Sequence, residues 1–252
     1  MKIVVIGPGG KMGRLVVREA LKRPGDFTVV GAVGNPVREY IGKDVSAAAG
    51  GPVIGAKIYA HLEEIIAHCD GVIDFSSVEG AMEARAACVK HGKPVLLGTT
   101  GFSPEQEKAI ARAGERIALS ESHNTSKAVN LIYQLLRTVS LSVGAVSDID
   151  IIDLHDNQKL DAPSGTGKTM NGIITQALAE IGAEKQIAHH SVRSGNIPSS
   201  HTVIFGMEGE RIELTHHSYD FSTFAKGALD AILYLKDQPP GLYSSEEVLG
   251  LK

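Results

Sequence analysis

The chain opens with an apolar run, Ile3-Val4-Val5-Ile6, that breaks directly into Gly7-Pro8-Gly9-Gly10-Lys11-Met12-Gly13 and then into a helix-forming stretch, Lys11–Lys22. A short β-branched run is a strand, and glycines at its end let the chain reverse without Cβ obstruction. A strand that turns straight into a helix needs a parallel partner, because the helix carries the chain back along the strand. The alternation continues, with strands expected at Lys2–Ile6, Thr28–Val33, Gly71–Phe75, Pro94–Gly98 and Ile117–Ser120. Helices are expected at Lys11–Lys22, Leu62–Cys69, Glu79–Lys90, Pro104–Arg116 and 126–141. Ser103 is a natural N-cap for Pro104 in the first turn. This is the pattern of an α/β parallel sheet.

Near residue 125 the rhythm changes. A strand at Asp148–Leu154 and a helix at Lys168–Ile181 precede a hairpin, Thr202–Gly206 and Arg211–Thr215, closed by Met207-Glu208-Gly209-Glu210. A last helix covers Thr223–Leu235. The switch from βα units to longer strands marks a second domain. At 252 residues the chain has room for two cores. A net charge of −4 argues against a partner held by a basic field, so no nucleic acid is expected. No segment stands out as a membrane span, and Ile3–Ile6 is too short for a secretory h-region, which points to a cytoplasmic chain. Cys69 and Cys88 lack ligand spacing and read as buried thiols on helices.

Strand-to-helix placement gives the glycine loop its meaning. Backbone amides at such a turn approach a pyrophosphate, which rests on the helix N-terminus, and Lys11 adds a cation. The glycines fit GxxGxxG through Gly7, Gly10 and Gly13; the other reading is a turn needed only for helix–strand packing. At the end of the second strand, where a carboxylate would hold the ribose 2′-hydroxyl, the chain has Gly34-Asn35-Pro36. Nothing there repels a 2′-phosphate, and Asn35, Arg38 or Lys11 can bind one. NADPH is therefore expected over NADH.

A second glycine run, Ala162-Pro163-Ser164-Gly165-Thr166-Gly167-Lys168-Thr169, imitates a P-loop and raises a nucleoside triphosphatase as a competing class. Its leading glycine is replaced by Ala162, and a polar stretch separates it from the preceding strand, whereas a P-loop turns directly from strand to helix. Ser164, Gly165 and Thr166 instead open a helix whose amides suit a carboxylate as well as a phosphate. Just upstream, His155-Asp156-Asn157-Gln158-Lys159 sets an imidazole and an ammonium beside that helix mouth.

At this point the chain resembles the 4-hydroxy-tetrahydrodipicolinate (dihydrodipicolinate) reductase family over nearly its whole length. The resemblance runs through Gly7–Gly13, Asp74-Phe75-Ser76, Gly98-Thr99-Thr100-Gly101-Phe102 and Lys159-Leu160-Asp161-Ala162-Pro163-Ser164-Gly165-Thr166. It continues through Arg193-Ser194-Gly195, His201-Thr202, Gly209-Glu210-Arg211 and Phe224-Ala225-Lys226-Gly227-Ala228. It implies an α/β chain: a Rossmann-like parallel-sheet domain over 1–125 plus 220–252, and a mixed α/β substrate-binding and oligomerisation domain over 126–219. It further implies a small-molecule substrate, a homotetramer, and hydride transfer from NADPH, with NADH as the other possibility, to a cyclic imine dicarboxylate.

By the same resemblance, His155 is the proton donor and Lys159 acts with it and holds substrate. Thr100, Ser164, Gly165 and Thr166 line the substrate, and Asp156, where the family has another residue, is expected beside them. Gly7, Gly10, Lys11, Met12, Gly13, Asn35, Arg38, Phe75, Gly98, Thr100 and Asn124 hold the cofactor. Imidazole suits proton donation near neutrality; by itself, His155 also fits a surface-loop histidine.

Four positions depart from the family pattern: Asp156 for a second histidine, Thr125 for Phe or Met, Ala128 for Gly, and Phe221 for Arg. A carboxylate at about 4 Å from a substrate carboxylate is repelled by about 1 kcal/mol in water and about 4 kcal/mol at an effective dielectric of 20. Either Asp156 points away, or the substrate carries an amine or one carboxylate fewer. A same-fold imine or keto-acid reductase and a non-catalytic dinucleotide sensor are the alternatives. His216 and His217, adjacent on a strand, leave opposite faces; His189-His190 reads as a loop without an acidic partner, and no metal site is expected.

Overall fold

The computed structural model describes residues 1–251, and they divide into two compact units. The first is built from Met1–Lys127 with the stretch from Ser222 onward, the second from Ala128–Phe221. In chain order the first unit begins with β1 (Lys2–Ile6), α1 (Lys11–Leu21), β2 (Thr28–Val33), α2 (Ser46–Ala49) and β3 (Lys57–Tyr59). It continues with β4 (Gly71–Asp74), α3 (Val78–His91), β5 (Val95–Leu97), α4 (Pro104–Gly114) and β6 (Ala118–Glu121). The second unit holds α5 (Lys127–Val143), β7 (Asp148–His155), α6 (Gly165–Glu180), β8 (Ala188–Arg193), β9 (Ser199–Met207) and β10 (Glu210–Ser218). Then α7 (Ser222–Leu235), β11 (Gly241–Leu242) and α8 (Ser245–Val248) return to the first.

The sheet of the first unit has the order β11-β6-β5-β4-β1-β2-β3, with every pairing parallel. Successive β1 side chains serve opposite faces. Ile3 and Val5 join α1 and α7 in one core, while Val4 and Ile6 join α3 and α4 in the other. Each such aliphatic, removed fully from water, contributes roughly 1.5–3 kcal/mol relative to an exposed position. Helix α7 lies close because Gly227 has no side chain; a Cβ there would stand 1.7 Å from the Thr125 carbonyl oxygen. The chain runs from β1 to β2 and β3 on one side, then crosses to β4, β5 and β6 on the other. That reversal opens a crevice at the C-terminal ends of β1 and β4, where open α/β sheets bind ligands.

The sheet of the second unit has the order β10-β9-β7-β8, with β7–β8 parallel and the remaining pairs antiparallel. Helices α5 and α6 cover one face, packing Val129, Tyr133, Leu136, Met170 and Ile174 on Ile149, Ile151, Val203 and Phe205.

Several sequence expectations need correction. The Leu62–Cys69 segment forms two 3-10 turns, Leu62–Glu64 and Ile66–His68, rather than an α-helix. Ile65, between them, has φ −131°, outside helical range, so helical spacing of Leu62, Ile65, Ile66 and Cys69 buries their side chains without a continuous helix. Cys69 accordingly ends a 3-10 turn, while Cys88 lies on α3; both are buried. His189-His190 lies within strand β8, and both side chains meet acids. Lys127–Val146 is, by length and composition alone, apolar enough to span a bilayer; its Val129, Tyr133 and Leu136 pack on the four-stranded sheet.

Candidate active site

In the first unit, the turn after β1 and the turn after β4 pack directly on each other. Gly7 has φ +79°, and a Cβ on it would meet the Phe75 carbonyl oxygen at 2.3 Å. A Cβ on Gly13 would lie 2.1 Å from the Gly7 carbonyl oxygen. These two glycines are therefore demanded by backbone packing. Gly10 is different: the nearest atom to a Cβ there is 3.4 Å away. It is the N-cap of α1, it brings no capping side chain, and the first turn carries no acid. That leaves an uncapped helix mouth in the crevice, suited to an anion. Lys11 at its first position is exposed and Met12 half-buried.

The neighbouring strand end is organised by Asp74. Its buried carboxylate accepts hydrogen bonds from Ser76 Oγ at 2.5 Å and Thr99 Oγ1 at 2.6 Å. Burial pushes its pKa up to about 6, against the pull of those hydroxyls. Thr99 Oγ1 also accepts from the Ser76 amide at 3.1 Å, so the Asp74-Phe75-Ser76 and Gly98-Thr99-Thr100 turns are tied together. The Phe75 ring lies over Gly98, where a Cβ would come within 2.2 Å of it. Thr100 is exposed beside this pair.

After β2, the Asn35 side chain accepts from the Val37 amide at 3.1 Å, and Asn35 and Arg38 are exposed. Tyr40, absent from the sequence expectations, lays its ring against Gly34 and Gly9, at 2.4 Å and 3.4 Å from where a Cβ would stand. Asn124 accepts from the Ser126 amide at 2.9 Å.

In the second unit the chemistry gathers around Asp153. On β7, Ile149, Ile151, Asp153 and His155 all point to the helix-covered face and are buried. The carboxylate, with no exposed surface, holds five partners. Oδ1 accepts from Arg193 NH1 at 2.6 Å and faces His155 Nδ1 at 3.3 Å. Oδ2 accepts from the Ser164 amide at 3.1 Å and Ser191 Oγ at 3.0 Å, and faces His189 Nε2 at 2.8 Å. Burial alone would raise the Asp153 pKa; the Ser164 amide, Arg193, His189 and Ser191 instead hold it far below the usual carboxylate range. Gly167 makes room for this, since a Cβ there would stand 2.6 Å from the His189 ring.

Ser164 caps α6, accepting from the Gly167 amide at 3.0 Å, and its hydroxyl is 3.2 Å from His201 Nε2. His201 is buried and its pKa falls to about 3, through burial first and then the neighbouring His155. Its ring meets that of His155 edge-on at 5.2 Å. His155 is also lowered, by burial and then by Lys159, against the opposing pull of Asp153. Lys159 Nζ pairs with Asp161 at 2.8 Å. Asp156 is half-buried and accepts from the Gln158 amide at 2.9 Å, so one of its oxygens is committed to the local turn. Gly165 is exposed at the mouth of α6, and the Thr166 side chain is hydrogen-bonded to Tyr133.

His155, Asp156, Lys159, Ser164, Gly165 and Thr166 thus lie around one helix mouth within the second unit. Gly7, Gly10, Gly13, Phe75 and Gly98 gather at one crevice of the first. Sequence reasoning gave no role to Asp153, His189 or Arg193. The available signal was parity: an acid two and four residues beyond Ile151 and Ile149 must be buried, and a buried carboxylate requires donors.

Family profiles described as dihydrodipicolinate reductase, N-terminus and C-terminus, match residues 1–125 and 128–249. The chain belongs to the dihydrodipicolinate reductase family. A 4-hydroxy-tetrahydrodipicolinate reductase of Halorhodospira halophila is 36% identical, over 99% of this chain and 98% of its own length. One of Rhodopseudomonas palustris is 38% identical over 100% of this chain and 98% of its own. Among solved structures, a dipicolinate-bound dihydrodipicolinate reductase from Paenisporosarcina sp. TG-14 superposes with a TM-score of 0.78 at 22% identity, covering 98% of each chain. An amine dehydrogenase from Mycobacterium smegmatis has the same fold, with a TM-score of 0.67 at 14% identity over 99% of this chain and 95% of that one. The fold thus extends beyond this reductase family.

Proposed function

We propose that the chain reduces 4-hydroxy-tetrahydrodipicolinate to tetrahydrodipicolinate, an oxidoreductase step of lysine and diaminopimelate biosynthesis that consumes NAD(P)H. The observation that carries the reading is His155, seated beside the N-terminal mouth of α6 with Nδ1 turned to a buried carboxylate. A reduced nicotinamide supplies the hydride when bound. Replacing the hydroxyl by hydrogen takes up one hydride and one proton and releases water. His155 delivers the proton from Nε2, the nitrogen left over by Asp153. The α6 amides at Gly165 and Thr166 bind a substrate carboxylate, and Lys159 adds a cation by swinging off Asp161.

The family works with a nicotinamide dinucleotide, and the uncapped mouth of α1 suits its pyrophosphate. NADPH is preferred over NADH in this reading, because the end of β2 carries Gly34-Asn35-Pro36 and an exposed Arg38 where a ribose-binding acid would repel a 2′-phosphate. A cytoplasmic homotetramer is part of the same proposal: Ile152, Leu154 and Ile204 sit on the sheet face opposite α5 and α6, half-exposed and suited to a second copy.

The test is a steady-state assay with substrate generated in situ, run with each cofactor. The expected result is turnover with a higher kcat/KM for NADPH, and a His155→Ala variant with kcat down by about 100-fold or more and unchanged dinucleotide affinity. Absence of turnover with intact NADPH binding favours a different small imine or keto acid, the reading to which Asp156 points.

A further inference from the structure

Glu19, Asp74 and Asp153 are buried acids that the proposed chemistry does not use directly, and Asp153 is the one that faces the proton donor. Asp153 touches β7, β8 and the start of α6 at once, through His155, through His189, Ser191 and Arg193, and through the Ser164 amide. A structural acid needs enough donors to stay ionised. This one has them without His155, whose contact at 3.3 Å is the longest of the five. The His155 contact is therefore surplus to satisfying the carboxylate and must be explained by what it does to the imidazole.

We propose that Asp153 is the positioning residue of the site, turning His155 so that Nε2 faces outward and supporting the charged form of that imidazole against the burial and the cations that oppose it. This rests on the reading of His155 as proton donor. The geometry gives two consequences. With Nδ1 aimed at Oδ1, the transferable proton sits on Nε2. Because the same carboxylate receives the Ser164 amide, imidazole and α6 mouth are held in one register, and Arg193 extends the hold by donating from NH2 to the Asp161 carbonyl.

The charges around His155 make the anion necessary. Burial opposes its protonation most, and Lys159 and Arg193 oppose it further. The pKa of His201 on β9 is lowered, by burial first, so its edge-on ring adds no further positive charge; burial likewise lowers His216 on β10. Asp161 is occupied by Lys159, and His189 on β8 shares Oδ2. Asp153 is the group the structure sets against that cationic field.

A donor that must be protonated loses activity as pH rises through its pKa, so the alkaline limb of kcat/KM reports it. Removing a carboxylate at this distance lowers that pKa. In Asp153→Asn the limb should move down by about one pH unit or more, a further loss of roughly tenfold on the alkaline side. Asp153→Glu, which keeps the charge, should return the limb to its original place. Arg193→Gln removes an opposing cation and should move the limb up, the reverse sign, and it serves as the test if Asp153→Asn does not fold. A limb that stays put in either neutral-for-charge variant, with only the amplitude reduced, overturns the proposal. So does Asp153→Glu moving as far as Asp153→Asn. The donor reading fails separately: His155→Ala would then retain turnover with the original alkaline limb.

Discussion

Two glycines of one loop should answer alanine substitution in opposite ways, because backbone packing demands one and leaves the other open. In Gly13→Ala the new Cβ would lie 2.1 Å from the Gly7 carbonyl oxygen, 2.7 Å from its carbon and 3.1 Å from Pro8 Cα. All three are main-chain atoms, so no rotamer change relieves the contact; α1 must slide from the sheet or the loop must open. Overpacking of that kind costs roughly 1–3 kcal/mol, or a Tm drop of about 2–12 °C for a chain this size. Gly10 has φ −75°, which alanine adopts without strain, and its nearest neighbour would be 3.4 Å from the Cβ. There about 0.5–1 kcal/mol lost at the N-cap is offset by about 0.4–1 kcal/mol from the stiffer unfolded chain. Gly10→Ala should melt within about 2 °C of the parent. Yet it puts a methyl group at the N-cap of α1, where a pyrophosphate would approach the backbone closely, so NADPH affinity should fall by tenfold or more. Thermal melts with and without NADPH, beside titration calorimetry, separate the two effects. If Gly10→Ala binds NADPH as tightly as the parent, the pyrophosphate does not sit on this helix. If it melts as low as Gly13→Ala, the packing reasoning is wrong.

The remaining predictions concern pH. Asp74 has a folded-state pKa raised to about 6 from 3.8, so its contribution is intact below pH 3.8 and is lost as pH rises through 6. The stability difference between Asp74→Asn and the parent should therefore shift in the variant's favour by up to about 3 kcal/mol between pH 3.5 and 7.5. Urea unfolding at each pH measures this, and parallel curves would sink it. His201 moves the other way: its folded pKa is depressed to about 3 from 6.5, so its contribution is present above pH 6.5 and lost as pH falls below it. The parent should lose roughly 3 kcal/mol between pH 7 and 4 from this residue, and His201→Gln should flatten that part of the profile. An equally steep profile in the variant would show that His201 takes its proton freely in the fold.

Much of the fold was legible because it is local. The strands β1, β2, β4, β5 and β6 follow from apolar runs closed by turn residues, and the Ser103-Pro104 start of α4 is a capping box with Gln106. What escaped was short or polar. Strand β3 is Lys57–Tyr59 and β11 is Gly241–Leu242, too brief for periodicity. Strand β8, Ala-His-His-Ser-Val-Arg, has almost no apolar alternation because its inward residues serve a carboxylate rather than a hydrophobic core.

The candidate site divides along the same line. The chain by itself determined the glycine turn after the first strand, the helix opening at Ser164, and the presence of His155 and Lys159 just before it, since each is a matter of neighbours in sequence. Tertiary structure alone decided that residues 153, 155, 164, 189, 191 and 193 share one carboxylate, that Phe75 closes over Gly98, and that Gly7 and Gly13 are fixed by packing while Gly10 stays open. Propensity acts over a few residues along the chain. A buried charge instead draws its donors from wherever the fold brings them within hydrogen-bond reach, and no local pattern records that distance.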